Sequence, residues 1–153
     1  MKFVIDNPVL RVPPAPAADA AAHFAAQFRF YADVSDVAAA LDRPDPGFVL
    51  LDSRGDAAWR QAHIPGAIHL PTIEIPKRAK AEFDPAVPLV TYCWGPGCNG
   101  AARAALVLSR LGFRVKEMTG GIEYWIREGF PVRMADGERR RAVDELTGAV
   151  ELA

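Results

Sequence analysis

The chain has 153 residues, half of them hydrophobic and about a quarter charged, with a formal net charge of -1. That is enough for one folded domain with its own core, and it excludes a disordered chain. The near-neutral balance argues against general binding to nucleic acid or to an acidic membrane surface. No apolar run approaches the ~20 residues that cross a bilayer. Met1-Lys2-Phe3-Val4-Ile5-Asp6 breaks its apolar run at once and makes a poor signal peptide. Two cysteines do not form a disulfide framework, so the expected setting is a reducing, cytoplasmic one. Three histidines and two cysteines lack metal-ligand spacing, and no metal is expected.

In chain order, residues 1–15 are rich in Pro, Val and Ala and read as an extended arm. From Ala17 to about Phe28 an alanine-rich pattern with Phe24 and Phe28 four apart predicts an amphipathic helix. Phe28-Arg29-Phe30-Tyr31-Ala32 alternates and predicts a first strand. Asp33 and Ser35 are N-cap candidates for a helix through Leu41, which Pro44 and Pro46 end. Phe48-Val49-Leu50-Leu51-Asp52 has the continuous apolar character of a parallel strand buried on both faces.

Ser53-Arg54-Gly55 is a turn before a helical turn around Ala57–Arg60. His63-Ile64-Pro65-Gly66 is a second turn, leading into a short strand. Glu74 to Phe83 predicts a surface helix started or kinked near Pro76. Val87 to Tyr92 is another buried strand, and a helix runs from Gly100 to Leu111-Gly112 with a core stripe of Ala101, Ala105, Leu108 and Leu111. Phe113 to Met118 reads as an edge-like strand. A helix carrying Tyr124, Trp125 and Ile126 then ends at Gly129 and Pro131. A last helix is expected from Glu138 to about Leu146, with Arg139-Arg140-Arg141 on a solvated face. Trp59 and Trp125 read as core. Strands alternating with helices imply βαβ units and a parallel sheet.

The stretch with most chemistry is Tyr92-Cys93-Trp94-Gly95-Pro96-Gly97-Cys98-Asn99-Gly100, which holds both cysteines. A cysteine at a strand end, a glycine-rich turn and a helix N-terminus together favour a reactive thiolate. Glycines let the backbone curl so that N–H groups turn inward. The helix start adds partial positive charge, which lowers a thiol pKa and holds an anionic adduct. A free cysteine in an apolar run is otherwise most often a packed small hydrophobe.

Four stretches, taken in order, resemble a single rhodanese domain across about residues 33–132. Leu50-Leu51-Asp52-Ser53-Arg54 is similar to that family's strand ending in Asp-x-Arg. His63-Ile64-Pro65-Gly66-Ala67 matches its His-Ile-Pro-Gly-Ala signature. Tyr92-Cys93 stands where the family places its catalytic cysteine, and Gly120-Gly121 with Trp125 matches a late Gly-Gly-x-x-x-Trp. The resemblance implies an α/β, three-layer fold with a parallel five-stranded sheet flanked by helices. Residues 1–32 then form an N-terminal arm and helix, and residues 133–153 a polar tail. These lie outside the family core and are candidates for covering a sheet edge or for a homodimer contact.

The resemblance also implies sulfurtransferase chemistry. Sulfane sulfur passes from thiosulfate or a persulfide to a thiol or cyanide through a persulfide on Cys93. No cofactor is implied. The partners are a small sulfur donor and a thiol acceptor, which can be a protein. Trp94, Gly95, Pro96, Gly97, Asn99, Gly100 and Arg103 are the substrate-binding candidates, with loop N–H groups holding the anionic sulfur. Cys98 is the candidate resolving thiol or alternative nucleophile, five residues from Cys93, a spacing that a curled loop can bring to disulfide distance but that does not by itself establish a bond.

The usual loop of the family places an arginine five after the cysteine, and here Cys98 stands there. This counts against thiosulfate, since a dianion is normally gripped by a cation as well as by backbone donors. Arg103 on the following helix is the nearest candidate, with a solvent-facing position as the alternative. Asp52 and Arg54 read as supports: the carboxylate braces backbone N–H groups near the loop, and the arginine salt-bridges below it. His63 reads as bracing its turn rather than as a general base. Trp94 either walls the pocket or docks a partner. The rival readings are a rhodanese-fold phosphatase or arsenate reductase, a non-catalytic binding module, and a redox sensor using the two thiols.

Overall fold

The computed structural model describes residues 7–150. Five parallel strands form the sheet in the order β1-β5-β4-β2-β3, where β1 is Tyr31–Ala32, β2 Val49–Asp52, β3 Ile68–His69, β4 Leu89–Tyr92 and β5 Val115–Met118. The helices are α1 (Ala17–Phe30), α2 (Val34–Leu41), α3 (Asp56–Gln61), α4 (Ile75–Glu82), α5 (Gly100–Arg110) and α6 (Gly121–Arg127). The architecture is the expected α/β sheet flanked by helices.

The alternation of side chains along each strand divides the core in two. Leu50, Val90, Tyr92 and Met118 face Val34, Val37 and Ala38 of α2 and Ile122 and Trp125 of α6. Leu51 and Leu89 face Ile75 and Ala79 of α4 and Ala104 and Leu108 of α5. Each fully buried leucine here contributes about 1.5–3 kcal/mol by leaving water. Asp33 caps α2, its carboxylate accepting from the Asp36 N–H at 2.7 Å, while Ser35 donates to Asp33 instead of capping.

Several expectations are corrected. The strand expected over Phe28–Ala32 is mostly helix. α1 continues to Phe30, where the Tyr31 N–H still donates to the Gln27 carbonyl, and only Tyr31 and Ala32 pair with β5. The amphipathic face expected of α1 finds no cover within the described residues: none of its residues is buried, and Phe24 and Phe28 are exposed. β5 is not an edge, because it lies between β1 and β4. The α5 stripe runs through Ala104 rather than Ala105. α4 follows a 3-10 turn at Thr72–Glu74 and buries Ile75 and Ala79, so it is more than a surface helix. Of the N-terminal arm, residues 1–6 lie outside the described residues and residues 7–10 form a turn.

The expected helix from Glu138 is absent from the described residues. Instead β6 (Val132–Met134) and β7 (Gly137–Arg139) form an antiparallel hairpin. Gly137, at φ +123°, supplies a backbone angle that a helix does not use, and Arg139 pairs with Asp136 at 2.6 Å across the turn. No helix among the described residues is long and apolar enough to cross a membrane.

One buried polar knot joins β2, β4 and the turn after α3. The Asp52 carboxylate receives Arg54 through Nε and Nη2 and the Tyr92 hydroxyl at 2.7 Å. The Tyr92 oxygen in turn accepts from the Ile64 N–H at 3.1 Å, and Arg54 Nη2 also donates to the Ala62 carbonyl at 2.6 Å. Burial foremost, then the Asp52 charge, pushes the Tyr92 phenol well above its ordinary value, which keeps it a donor. Asp52→Ala leaves a buried guanidinium unpaired, so chemical denaturation is expected to show a loss of about 3–5 kcal/mol.

Candidate active site

Cys93 follows the last residue of β4, the middle strand, and is 7% exposed. This is the carboxyl end of a parallel sheet, where side loops leave a crevice. Gly95 to Cys98 makes a tight turn, closed by the Cys98 N–H donating to the Gly95 carbonyl at 2.9 Å. α5 then begins at Gly100, whose N–H lies 3.4 Å from Cys98 Sγ. Cys93 and Cys98 are joined as a disulfide, with Cα atoms 6.5 Å apart.

The start of α6 holds the loop from outside. The Ile122 N–H donates to the Cys93 carbonyl at 3.0 Å, and the Glu123 N–H to the Trp94 carbonyl at 2.8 Å. Gly121 sits at φ +61°, and a Cβ there would lie 2.6–2.7 Å from the Cys93 carbonyl oxygen and the backbone of Trp94 and Gly95. Gly100 is constrained in the same way, since its Cβ would lie 2.6 Å from Cys93 Sγ. The Gly-Gly pair and the glycine opening α5 are therefore close-approach positions. Among the described residues, none accepts from the N–H groups of Trp94, Gly95, Gly97 or Asn99, which leaves them free to hold an anion. Asn99 does not cap α5.

A cavity of about 210 Å³ opens beside the cysteine pair, lined among others by Cys93, Gly95, Pro96 and Cys98, and on its far side by Glu117 and Thr119. Glu117 and Thr119 were not among the candidate residues from sequence. The signal for Glu117 lies in register: it pairs with Thr91, two residues before Cys93, so both point to the α5 side of the sheet. Burial raises the Glu117 carboxyl above the ordinary range.

Trp94 is 45% exposed outside the cavity, with the Arg54 guanidinium 4.4 Å from its ring centroid. Arg103 is exposed on α5 and donates through Nε to Asn99 Oδ1 at 3.1 Å, so it does not line the cavity. Asp52 does not reach the cysteine loop's N–H groups. It braces the Arg54 N–H and acts on the loop through Tyr92 and through the Arg54 guanidinium against Trp94. Arg54 forms the expected salt bridge, at 2.7 Å. His63 stacks on Trp59 at 3.6 Å and exchanges backbone hydrogen bonds with Arg133, a bracing position away from the cavity. Trp59 is half-buried between His63 and His69, not core as expected, whereas Trp125 is buried. No group of three or more His, Cys, Asp or Glu among the described residues is placed to hold a metal ion.

Comparison with known proteins agrees with this geometry. The family model for the rhodanese-like domain matches residues 33–128. The chain belongs to the rhodanese-like domain family. The BH2092 protein from Bacillus halodurans superposes with a TM-score of 0.76 at 35% identity, over 80% of this chain and 89% of that one. A rhodanese-related protein from Thermoplasma volcanium gives a TM-score of 0.58 at 25% identity, over 67% and 96%. The HTH-type transcriptional regulator Rv0324 from Mycobacterium tuberculosis is 36% identical over 93 residues, which is 60% of this chain and 41% of the regulator. The chain thus spans less than half the length of that curated relative.

Within the rhodanese-like frame, Gly121→Ala is expected to displace the cysteine loop. Backbone strain alone costs about 1–3 kcal/mol. Denaturation should record that loss, and alkylation of the reduced protein should show a changed rate at Cys93.

Proposed function

We propose that this rhodanese-like domain is a sulfurtransferase that carries sulfane sulfur as a persulfide on Cys93. The observation that supports it most is the pairing of Cys93 and Cys98 where β4 ends and α5 begins. Once the disulfide is reduced, partial positive charge at the start of α5 favours the thiolate. The Cys93 thiolate attacks the terminal sulfur of a donor R–S–SH. A new S–S bond forms, R–S⁻ leaves, and Cys93 becomes a persulfide. The free N–H groups of the loop stabilise the terminal sulfur anion.

Two exits follow. An external thiolate takes the terminal sulfur and regenerates the Cys93 thiolate. Alternatively the Cys98 thiolate attacks Cys93 Sγ, hydrosulfide leaves, and the Cys93–Cys98 disulfide remains until an external dithiol reduces it. The donor is a persulfide in preference to thiosulfate, because Arg54 is engaged by Asp52 and Arg103 by Asn99, leaving no cation at the cavity among the described residues. The same absence disfavours a phosphatase or arsenate reductase, which needs a cation on a tetrahedral oxyanion. The residue six after Cys93 is Asn99.

The disulfide also favours a second reading, in which the thiol pair reports sulfane sulfur or oxidant stoichiometrically. The relative named as a transcriptional regulator is in keeping with that use. Turnover separates the two readings.

Intact-mass spectrometry of the reduced protein after exposure to glutathione persulfide or thiosulfate tests the proposal. A gain of one sulfur atom is expected in Cys98→Ser and is absent in Cys93→Ser. The unsubstituted chain is expected to release sulfide and end as the disulfide. No adduct and no disulfide from either donor would remove the sulfurtransferase reading.

A further inference from the structure

The cavity beside Cys93 carries one charged group that the sulfur-transfer steps leave without a task. Glu117 lies on β5, facing the same side of the sheet as Cys93, and lines the cavity of about 210 Å³ with both cysteines. Its carboxylate forms no hydrogen bond or ion pair with any described residue, while its backbone pairs in the sheet with Thr91 of β4 and Tyr31 of β1. The other carboxylates near the loop differ: Glu123 packs against Gly95 and is paired with Arg127 at 3.2 Å, and Asp33 and Glu128 line a separate cavity with Pro96. Lys116, the neighbour of Glu117, points to the opposite face and lines a separate cavity with Arg29 and Arg114. Among the described residues, the cysteine cavity therefore holds an unpaired anion and no cation.

Resting on the sulfurtransferase reading, we propose that Glu117 sets donor choice, so that the site takes small aminothiol persulfides, whose ammonium it pairs, and turns away dianionic thiosulfate. The cavity is at the small end for a ligand site, which suits a persulfide of cysteine size more than a tripeptide. An ammonium on the carbon next to the sulfur-bearing carbon reaches a carboxylate while the sulfur meets Cys93. The burial that raises the Glu117 carboxyl also makes an incoming cation more favourable there. A dianion meets the opposite sign of the same field. Glu117 is a specificity-determining group; the bonds that form and break are those given for Cys93.

The test measures sulfur loading onto Cys93 in the Cys98→Ser background, where the adduct persists, at pH 8 so that Glu117 is charged. Three donors are compared: cysteine persulfide, 3-mercaptopropionate persulfide, which lacks only the ammonium, and thiosulfate. The background protein is expected to prefer cysteine persulfide over its desamino analogue by roughly tenfold, the worth of one charge-assisted contact. Glu117→Gln keeps the shape and loses no internal partner. It is expected to abolish that preference and to raise thiosulfate loading. Glu117→Asp is expected to retain part of the preference.

A Glu117→Gln variant that keeps the preference, or that changes all three donors by the same factor, overturns the assignment while leaving sulfur transfer intact. A protein that loads no sulfur on Cys93 from any of the three loses the sulfurtransferase reading, and this inference with it.

Discussion

The rest of the site depends on a carboxylate that never touches it. Asp52 is fully buried and holds Arg54, the Tyr92 hydroxyl and, through that hydroxyl, the Ile64 N–H. Three of the four sequence signatures meet there: the Asp-x-Arg strand end, the His-Ile-Pro-Gly turn and the strand that delivers the cysteine. A buried ion pair is a poor source of net stability, because desolvation offsets most of the attraction. Its use here is positional. Each partner is costly to leave unpaired, so strand β2, strand β4 and the turn can sit in only one relation. Tyr92 is the residue before Cys93, and fixing its hydroxyl fixes where the Cys93 backbone emerges.

Strand alternation converts that anchor into a site with two sides. Tyr92 points to the α2 and α6 side, so Cys93 and the cross-strand Glu117 point to the α5 side. Below the loop, the Arg54 guanidinium lies under the Trp94 ring and is consumed by Asp52. From the flank, the first turn of α6 donates to the carbonyls of Cys93 and Trp94. Taking up the loop's carbonyls from outside leaves its N–H groups without acceptors among the described residues, as the proposed sulfur anion requires. That division explains why Gly121 must lack a side chain: any Cβ would part the two backbones that exchange these bonds.

Much of this was legible in the sequence because it is local. The Asp33 cap, the apolar strands β2 and β4, the glycine-rich turn and the start of α5 follow from short-range pattern. What was not legible depended on partners far along the chain. Phe28 to Phe30 alternate like a strand, but they are helical because β5 reaches only Tyr31 and Ala32. β5 looks like an edge strand by its charges, yet topology places it between two others. Glu117 became a site residue only once the register with β4 was known. The hairpin at Asp136-Gly137 is a different kind of miss. Its turn signal, Asp136-Gly137, is local, and the residues that follow pair as a strand with Val132–Met134 instead of continuing as a helix.

The electrostatics of the cavity separate two tasks by their distance dependence. The start of α5 and the free loop N–H groups are dipoles, whose influence fades within about one helical turn. In the proposed transfer they act on a sulfur already attached to Cys93. Glu117 is a net charge, and its potential falls off more slowly in a poorly solvated crevice than any dipole's. In the same proposal it acts on donors still approaching. A single cation in the loop would combine both tasks, binding the donor and holding the transferred sulfur anion together, and would favour thiosulfate. With the only buried guanidinium among the described residues bound to Asp52, the proposed transfer divides them: backbone dipoles would hold the sulfur, and the Glu117 carboxylate would select its donor.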